Sequence, residues 1–164
     1  MSNKLDEQYR GILAELLYNG REKETRNGKT LSKFGMQIRH RMSDGFPLLT
    51  TKKMSIKTIS TELKWFLKGD TNIKYLVDNN CNMWSGDCYK AFKSAFSSMP
   101  GIQSSLPNQE EFTNKIKTND KFAKKWGELG PIYGTQWRRW SVFPNEDGEY
   151  ETNPIDQIAN LIKE

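Results

Sequence analysis

Residues 55 to 72 read SIKTISTELKWFLKGDTN, and this stretch decides the fold. At 100° per residue its apolar side chains fall on one helical stripe, while its lysines gather on the opposite face. The stripe consists of Ile56, Ile59, Leu63, Phe66 and Leu67. Ser55 suits an N-cap and Gly69 a stop signal, so the sequence predicts an amphipathic helix between them.

Glu62 is an acidic residue of this helix that has no basic partner at helical spacing. The residues three and four positions away are Thr58, Ile59, Trp65 and Phe66. If this edge is buried, desolvation favours the protonated carboxyl and suits Glu62 to proton transfer. The alternative is an exposed glutamate at the margin of the stripe, the commoner state of an ionisable residue. The stretch alone leaves both interpretations open.

The length and composition suit one globular domain. The chain has 164 residues, 35% of them hydrophobic and 12% aromatic. Because no apolar run reaches the roughly 18 residues of a membrane span and the N-terminus lacks the apolar core of a signal peptide, we expect a cytoplasmic protein without membrane contact. The net charge of +5 is spread along the chain. It favours an anionic small molecule, and no specific nucleic-acid binding is expected.

Few residues of the chain suit metal or disulfide chemistry. Cys81 and Cys88 are its two cysteines and His40 its one histidine. This composition predicts reduced thiols and no metal site. His40 falls on the apolar face of a predicted strand, which favours a hydrogen-bonded core histidine over a ligand or base.

The residues before the central helix predict a helix, a loop and a strand. Lys4 to Asn19 has apolar residues at helical spacing, and Leu31 to Met42 alternates apolar and polar residues. Between them, Arg21 to Thr30 has no apolar residue and predicts an exposed loop. Its ending imitates a P-loop without the strand-to-helix context, although Arg26 and Lys29 remain able to meet a phosphate.

The residues after the central helix are less regular. A short helix is predicted through Ile73, Leu76 and Val77. From Ser85 to Lys125 we interpret the chain as a peripheral insertion around 85–125. This segment contains a loop at 94–107 and short helical pieces around 110–117 and 120–126.

The final part of the sequence combines glycines, aromatic residues and a last helix. Gly127 to Trp140 sets Tyr133 among glycines, which suits equally a pocket-lining loop and an aromatic-pinned turn. Further along, Asn153 is a predicted N-cap with Pro154 at the first helical position. The apolar stripe of this helix is still in phase where the sequence stops.

Several of these stretches together resemble the thymidylate synthase family. The similar segments, in order, are Gly45–Lys52 (GFPLLTTK), Thr61–Asn72 (TELKWFLKGDTN), Met83-Trp84 and Gly127–Arg138 (GELGPIYGTQWR). The resemblance covers 1–164 as the N-terminal portion of the family domain. It implies an incomplete α+β fold with helices packed on a mixed sheet that carries the strand Leu31 to Met42. It also implies pairing as a homodimer.

The resemblance implies reductive methylation of dUMP to dTMP, with 5,10-methylenetetrahydrofolate giving both the carbon and the hydride. Glu62 would order water and relay protons, and Tyr133 would belong to the proton-abstraction network. Trp84 would act with these catalytic residues and pack against the folate.

The binding residues that the resemblance implies lie elsewhere in the sequence. Arg26 would grip the nucleotide phosphate, while Lys52 and Met83 would border the folate site. The family's nucleophilic cysteine stands in a Pro-Cys-His context, which neither Cys81 nor Cys88 has. The chain would therefore need a complementary C-terminal half. The alternatives are a folate-dependent pyrimidine hydroxymethylase fragment and a non-catalytic folate- or partner-binding remnant.

We expect these 164 residues alone to make no thymidylate, because covalent activation of the pyrimidine needs a nucleophile. Incubation with dUMP and 5,10-methylenetetrahydrofolate, followed by measurement of dihydrofolate, checks this. Turnover well above a protein-free control would contradict the expectation.

Overall fold

The computed structural model describes residues 3–26, 28–140 and 155–163. They divide into two compact units, residues 1–55 and 56–164, each with its own packing. Helices dominate, and the sheet formed by the described residues has two antiparallel strands. The predicted α+β class is confirmed, while the larger mixed sheet is not formed by the described part of the chain.

The first unit begins with α1 (Lys4–Asn19), which confirms the predicted helix. Asn3 caps it, since its Oδ1 accepts the N–H of Asp6 at 2.7 Å. The buried carboxylate of Asp6 then binds Thr50, whose N–H lies 2.8 Å from Oδ1 and whose hydroxyl donates to Oδ2. One short side chain therefore ties the extended segment around Thr50 to the first turn of α1.

A hairpin replaces the loop predicted over Arg21 to Thr30, so that prediction was wrong. Strands β1 (Arg21–Thr25) and β2 (Gly28–Ser32) pair antiparallel, with Arg21 opposite Ser32. All residues of both strands are exposed. Since neither face of the hairpin is buried, its strands need no alternation of apolar and polar residues. The lack of such a pattern in the sequence therefore did not exclude strands. Asn27, which stands between the two strands in the sequence, lies outside the described residues.

The strand predicted over Leu31 to Met42 was also wrong. Only its first two residues belong to β2, and the chain beyond them is irregular up to a 3₁₀ turn at Met42–Asp44. Gly35 interrupts the extended path with φ 80°, and Phe34 is fully exposed. The backbone of Arg39 pairs with the side chain of Gln8, at 2.9 and 3.0 Å, in place of a neighbouring strand.

His40 is hydrogen-bonded, as predicted, but it is not a core residue. Its Nε2 lies 2.7 Å from the carbonyl oxygen of Gly45, and the residue is half-buried. A bond to a carbonyl requires the ring nitrogen to be the donor. The bond therefore closes the turn that precedes the extended segment around Thr50.

The second unit begins with α2 (Ile56–Leu67), which confirms the central helix. Its buried face differs from the predicted stripe, since Ile56, Leu63 and Leu67 are exposed whereas Thr61 and Trp65 are buried. Trp65 decides this orientation, because it is fully enclosed and its indole N–H donates to the carbonyl of Asn72 at 2.9 Å. Glu62 follows Thr61 at the margin of this buried face.

The segment 85–125 forms much of the core of the second unit. It contains α4 (Ser85–Ser94), the short α5 (Pro100–Gln103), α6 (Gln109–Thr118) and α7 (Asp120–Trp126). The helical pieces around 110–117 and 120–126 are confirmed. Buried side chains of these helices pack with α3 (Lys74–Asp78), the predicted short helix. The core residues are Ile73, Val77, Cys88, Phe92, Phe112, Ile116 and Ala123.

This packing corrects the peripheral placement of the segment. Helices α4, α6 and α7 each contribute only one or two buried apolar residues, so no single window shows a strong period, and the core appears only when the helices meet. That the segment is an insertion within the domain stays a prediction.

Asn72 links the end of α2 to α7 and to the stretch that follows α7. Its side-chain amide donates to the carbonyl of Ala123 and to Oε1 of Glu128, both at 2.9 Å. Glu128 also accepts the hydroxyl of Thr71 at 2.6 Å. A Cβ on Gly127 would lie 2.5 Å from Oδ1 of Asn72, so only glycine permits this approach. The residues after α2 thereby fix both α7 and the stretch that follows it.

The last described elements are α8 (Tyr133–Arg138) and α9 (Gln157–Lys163). Asp156 starts α9, because its carboxylate accepts the N–H of Ala159 at 2.9 Å, and it pairs with Arg138 at 3.1 Å. The predicted cap residues Asn153 and Pro154 lie outside the described residues.

The carboxyl of Asp6 should titrate below its ordinary pKa of 3.8. The hydroxyl and backbone N–H of Thr50 lower the pKa of Asp6, burial opposes them, and the charge of Arg10 adds to the lowering. Because the unfolded carboxyl binds protons more readily, this network stabilises the fold above pH 3.8 and its contribution is lost as pH falls through the lower pKa.

Carbon-detected NMR of the Asp6 carboxyl checks the direction. Thr50→Ala should move the midpoint back toward the ordinary value, whereas Thr30→Ala in the hairpin should leave it in place. A wild-type midpoint at or above the ordinary value would contradict the assignment.

Asn72→Ala should lower the free energy of unfolding of the second unit by about 2–3 kcal/mol, because two donor bonds are lost and a carboxylate loses a partner. Urea unfolding followed by tryptophan fluorescence measures this change. Asn114→Ala, at an exposed position of α6, is the matched control and should stay within about 0.5 kcal/mol. Equal effects of the two substitutions would remove Asn72 from its joining role.

Candidate active site

Three of the predicted site residues come together in the second unit. Glu62 lies on α2, Trp84 immediately precedes α4, and Tyr133 begins α8. Met83 adjoins Trp84 along the chain and is largely exposed. The site is therefore assembled from segments that are far apart in the sequence.

The remaining predicted residues, Arg26 and Lys52, belong to the first unit. Arg26 follows β1 at the tip of the hairpin, and Lys52 follows the segment that Asp6 holds through Thr50. Both side chains are exposed. Lys29, the other hairpin residue that the sequence offers for a phosphate, is paired with Glu22 at 2.6 Å.

The carboxylate of Glu62 is bound by the indole of Trp84. The Nε1–H of Trp84 donates to Oε1 of Glu62 at 2.7 Å, and both residues are partly buried. A bond of this length to a carboxylate is charge-assisted and stronger than one between neutral groups. The sequence shows no partner for Glu62 at helical spacing. The structure supplies one, a neutral donor 22 residues further along the chain.

Other aromatic rings pack around Trp84. The ring of Trp84 lies 6.0 Å from that of Tyr133, and Phe66 contacts both, at 6.2 and 5.3 Å between centroids. Trp137 completes the group at 5.6 Å from Phe66. These edge-on contacts are the favourable geometry for aromatic pairs. Tyr133 remains half-exposed at the edge of the group.

Sequence analysis did not assign Phe66 and Trp137 to the site. A signal was present for each, since Phe66 is one helical turn after Glu62 and Trp137 is one turn after Tyr133. From the sequence alone, neither residue can be distinguished from an ordinary apolar residue. Only the approach of α8 to α2 shows that they share a cluster.

Two glycines permit that approach. A Cβ on Gly134 would lie 2.8 Å from the carbonyl oxygen of Asp70, and one on Gly69 would lie 3.1 Å from the side chain of Arg138. Gly69 also adopts φ 69°, which favours glycine at the end of α2. The glycines thus set Tyr133 against the face of α2 that carries Glu62 and Phe66.

Both cysteines are free, buried thiols. Burial raises the pKa of Cys81, the N–H of Met83 opposes this, and the charge of Glu62 raises it further. Burial and the charge of Glu128 raise the pKa of Cys88 to about 12, and its Sγ donates to the carbonyl of Trp126 at 3.1 Å. Since the thiolate is the nucleophile, neither cysteine is suited to attack a substrate.

Two other kinds of function find no support in the described ranges 3–26, 28–140 and 155–163. They contain no group of three histidine, cysteine or acidic side chains that would hold a metal ion. None of their helices combines the length and the apolar character needed to cross a membrane.

Several known proteins to which this chain is similar belong to one family. The sequence model described as thymidylate synthase matches residues 7–164. The chain is 50% identical over 136 residues to the thymidylate synthase of Mycoplasma mobile, covering 82% of this chain and 45% of that protein. It is 45% identical over 158 residues to that of Malacoplasma penetrans, covering 96% of this chain and 48% of that protein.

A third relative, the thymidylate synthase of Mesoplasma florum, is 42% identical over 160 residues, covering 96% of this chain and 49% of that protein. The chain therefore spans about half the length of the curated relatives it matches.

Both thiols should resist alkylation while the protein is folded. Iodoacetamide at pH 8 should modify Cys81 and Cys88 at least tenfold more slowly than in the urea-unfolded chain, because burial and raised pKa values suppress the thiolate. Mass spectrometry of tryptic peptides measures each cysteine separately. Rapid labelling of either cysteine in the folded chain would contradict the assignment as inert thiols.

Proposed function

The chain belongs to the thymidylate synthase family, and on that premise we propose that it carries one half of a site that methylates dUMP to dTMP. The co-substrate is 5,10-methylenetetrahydrofolate, which gives the carbon and the hydride. The observation that carries the proposal is the 2.7 Å bond between the carboxylate of Glu62 and the indole of Trp84, next to Tyr133.

Glu62 is proposed as the proton-relay residue. Replacement of a pyrimidine hydrogen by a one-carbon unit releases a proton from the ring carbon, which a base must accept and pass on. A carboxylate serves this purpose when its orientation is fixed, and the indole N–H fixes one oxygen of Glu62. The hydroxyl of Tyr133, whose ring lies 6.0 Å from that of Trp84, is proposed to take part in removing the proton from the pyrimidine.

Trp84 is proposed to have two tasks at once. Its N–H holds Glu62, while its ring belongs to a cluster that offers an apolar surface to the flat folate. The exposed side chain of Met83 lies next to it along the chain and is proposed to border the same site. Binding of folate against Trp84 would thereby steady the residue that relays protons.

Arg26 and Lys52 are proposed to bind the charged parts of the substrates. Arginine suits a phosphate because its planar guanidinium makes paired hydrogen bonds. Since Lys29 is engaged by Glu22, Arg26 is the better candidate on the hairpin for the phosphate of dUMP. Lys52 is proposed to border the folate, whose carboxylates favour a cation.

A partner is proposed to supply the nucleophile. Attack on the pyrimidine ring needs a thiolate or a similar group, and Cys81 and Cys88 are unsuited to it. Exposed apolar residues on α2 and on α9, such as Leu63, Leu161 and Ile162, are available for a partner to cover. A complementary C-terminal half, or pairing as a homodimer around a complete chain, fits this surface in a cytoplasmic enzyme. Because the relatives compared are thymidylate synthases, hydroxymethylation and a non-catalytic remnant are not favoured.

Glu62→Gln should cripple turnover in a chimera in which these 164 residues replace the matching part of the Malacoplasma penetrans enzyme. We expect kcat to fall about a hundredfold to ten-thousandfold, the usual contribution of a general acid or base. Trp84→Phe keeps a ring and removes the N–H donor, so a smaller loss of about tenfold to a hundredfold is expected. Dihydrofolate formation measures kcat, and calorimetry with dUMP measures binding.

Nucleotide binding should change less than threefold in both variants, since neither side chain is assigned to the phosphate. Lys64→Gln, at an exposed position of the same helix, is the control and should retain full turnover. Near-normal turnover of the Glu62→Gln chimera would remove Glu62 from the proposed mechanism.

A further inference from the structure

A polar cleft of about 520 Å³ lies between the start of α4 and α6, apart from the site built around Glu62. Its size falls within the roughly 300–1,000 Å³ of small-molecule sites. Asn80, Asn82 and Ser85 form one wall, and α6 forms the other. The proposed methylation uses none of these residues.

Ser85 gives the first sign of a ligand. The residue is 2% exposed, and its Oγ has no hydrogen-bond partner among the residues that the structure describes. Buried hydroxyl groups in folded proteins are nearly always bonded, so an unbonded one needs an explanation. A ligand group that enters the cleft would satisfy it.

The N-terminus of α4 adds a positive field. This helix has 10 residues, and no side chain caps its first turn. The N–H groups of Gly86 and Asp87 follow Ser85 in that turn, where an anion is favoured. Gly86 faces the opposite wall, because a Cβ there would lie 3.7 Å from Nε2 of Gln109. Asp87, the acidic residue of the turn, is paired with Lys90 at 3.6 Å.

The opposite wall supplies a cation and amide donors. Lys117 lies in the last turn of α6, and its Nζ donates to Oδ1 of Asn80 at 3.3 Å across the cleft. Asn80 is held in the left-handed region, with φ 56°, which only a few residue types tolerate. The amide side chains of Gln109 and Asn114 line the same wall. Glu110 is the acidic residue among those that line the cleft, and its negative charge disfavours an anion there.

We infer that this cleft binds a single small anionic group, a carboxylate or a phosphate, between Ser85 at the N-terminus of α4 and Lys117 on α6. The hydroxyl of Ser85 and the first-turn N–H groups donate to the anion, and Lys117 supplies the opposite charge. The inference assigns a binding role within the segment 85–125 and does not depend on the proposed methylation.

Amide NMR of the 164-residue chain tests the inference. Inorganic phosphate and acetate are titrated separately at constant ionic strength, with chloride as the balancing anion. At least one of the two should shift the amide resonances of Gly86 and Asp87 in a saturable manner. Whichever anion saturates identifies the group that the cleft takes, and saturation by neither overturns the inference.

Substitutions that remove the same charge inside and outside the cleft distinguish binding at the cleft from a general electrostatic effect. Lys117→Gln should weaken the apparent affinity about tenfold, as expected for loss of a charged partner, and Glu110→Gln should strengthen it. Lys121→Gln removes the same charge from an exposed position of α7 and should change nothing. If Lys117→Gln and Lys121→Gln weaken binding equally, the inference fails.

The role of Ser85 is tested by Ser85→Ala. We expect a weakening of at least fivefold, with amide spectra of α6 and α7 otherwise preserved. An unchanged affinity in this variant would overturn the assignment of Ser85 as an anion ligand. Should Ser85→Ala unfold the chain, the exposed Lys117 variant still decides the inference, because its side chain contributes nothing to the core.

Discussion

The side-chain amide of Asn72 is the constraint on which the second unit depends. It reaches the end of α7 through Ala123 and the following stretch through Glu128, while the backbone carbonyl of Asn72 accepts the indole N–H of Trp65. The bonds to Ala123 and Glu128 join segments that are more than 50 residues apart. The close contact between Asn72 and position 127 also requires a glycine there. Together, these contacts fix the position of α2 relative to α7 and the stretch that follows it.

The site around Glu62 follows from this arrangement. Trp65 turns one face of α2 inward, and Glu62 lies at the edge of that face, where the indole of Trp84 holds its carboxylate. The close packing of Gly134 against the end of α2 then brings Tyr133 to the same cluster. A buried aromatic residue and a neutral donor therefore position the carboxylate that the family resemblance singled out, and a glycine places Tyr133 in the same cluster.

The sequence predicted the elements that depend on local pattern. Helices α1, α2 and α6 followed from spacing, because a helix makes its backbone bonds within itself. The strand expected at Leu31 to Met42 failed because alternation cannot show whether a neighbouring strand exists. The hairpin escaped notice because both of its faces are exposed. The partner of Glu62 was also beyond reach, since a contact with Trp84 depends on tertiary packing and leaves no trace at helical spacing.

The most direct test of this account is the indole N–H resonance of Trp84, assigned in proton–nitrogen NMR spectra through Trp84→Phe. If the indole holds the carboxylate, Glu62→Ala should move this proton resonance upfield by loss of the hydrogen bond. Lys64→Ala, at an exposed position of the same helix, should leave it unchanged. A Trp84 resonance that stays in place in Glu62→Ala would contradict the claim that this pair forms the centre of the site.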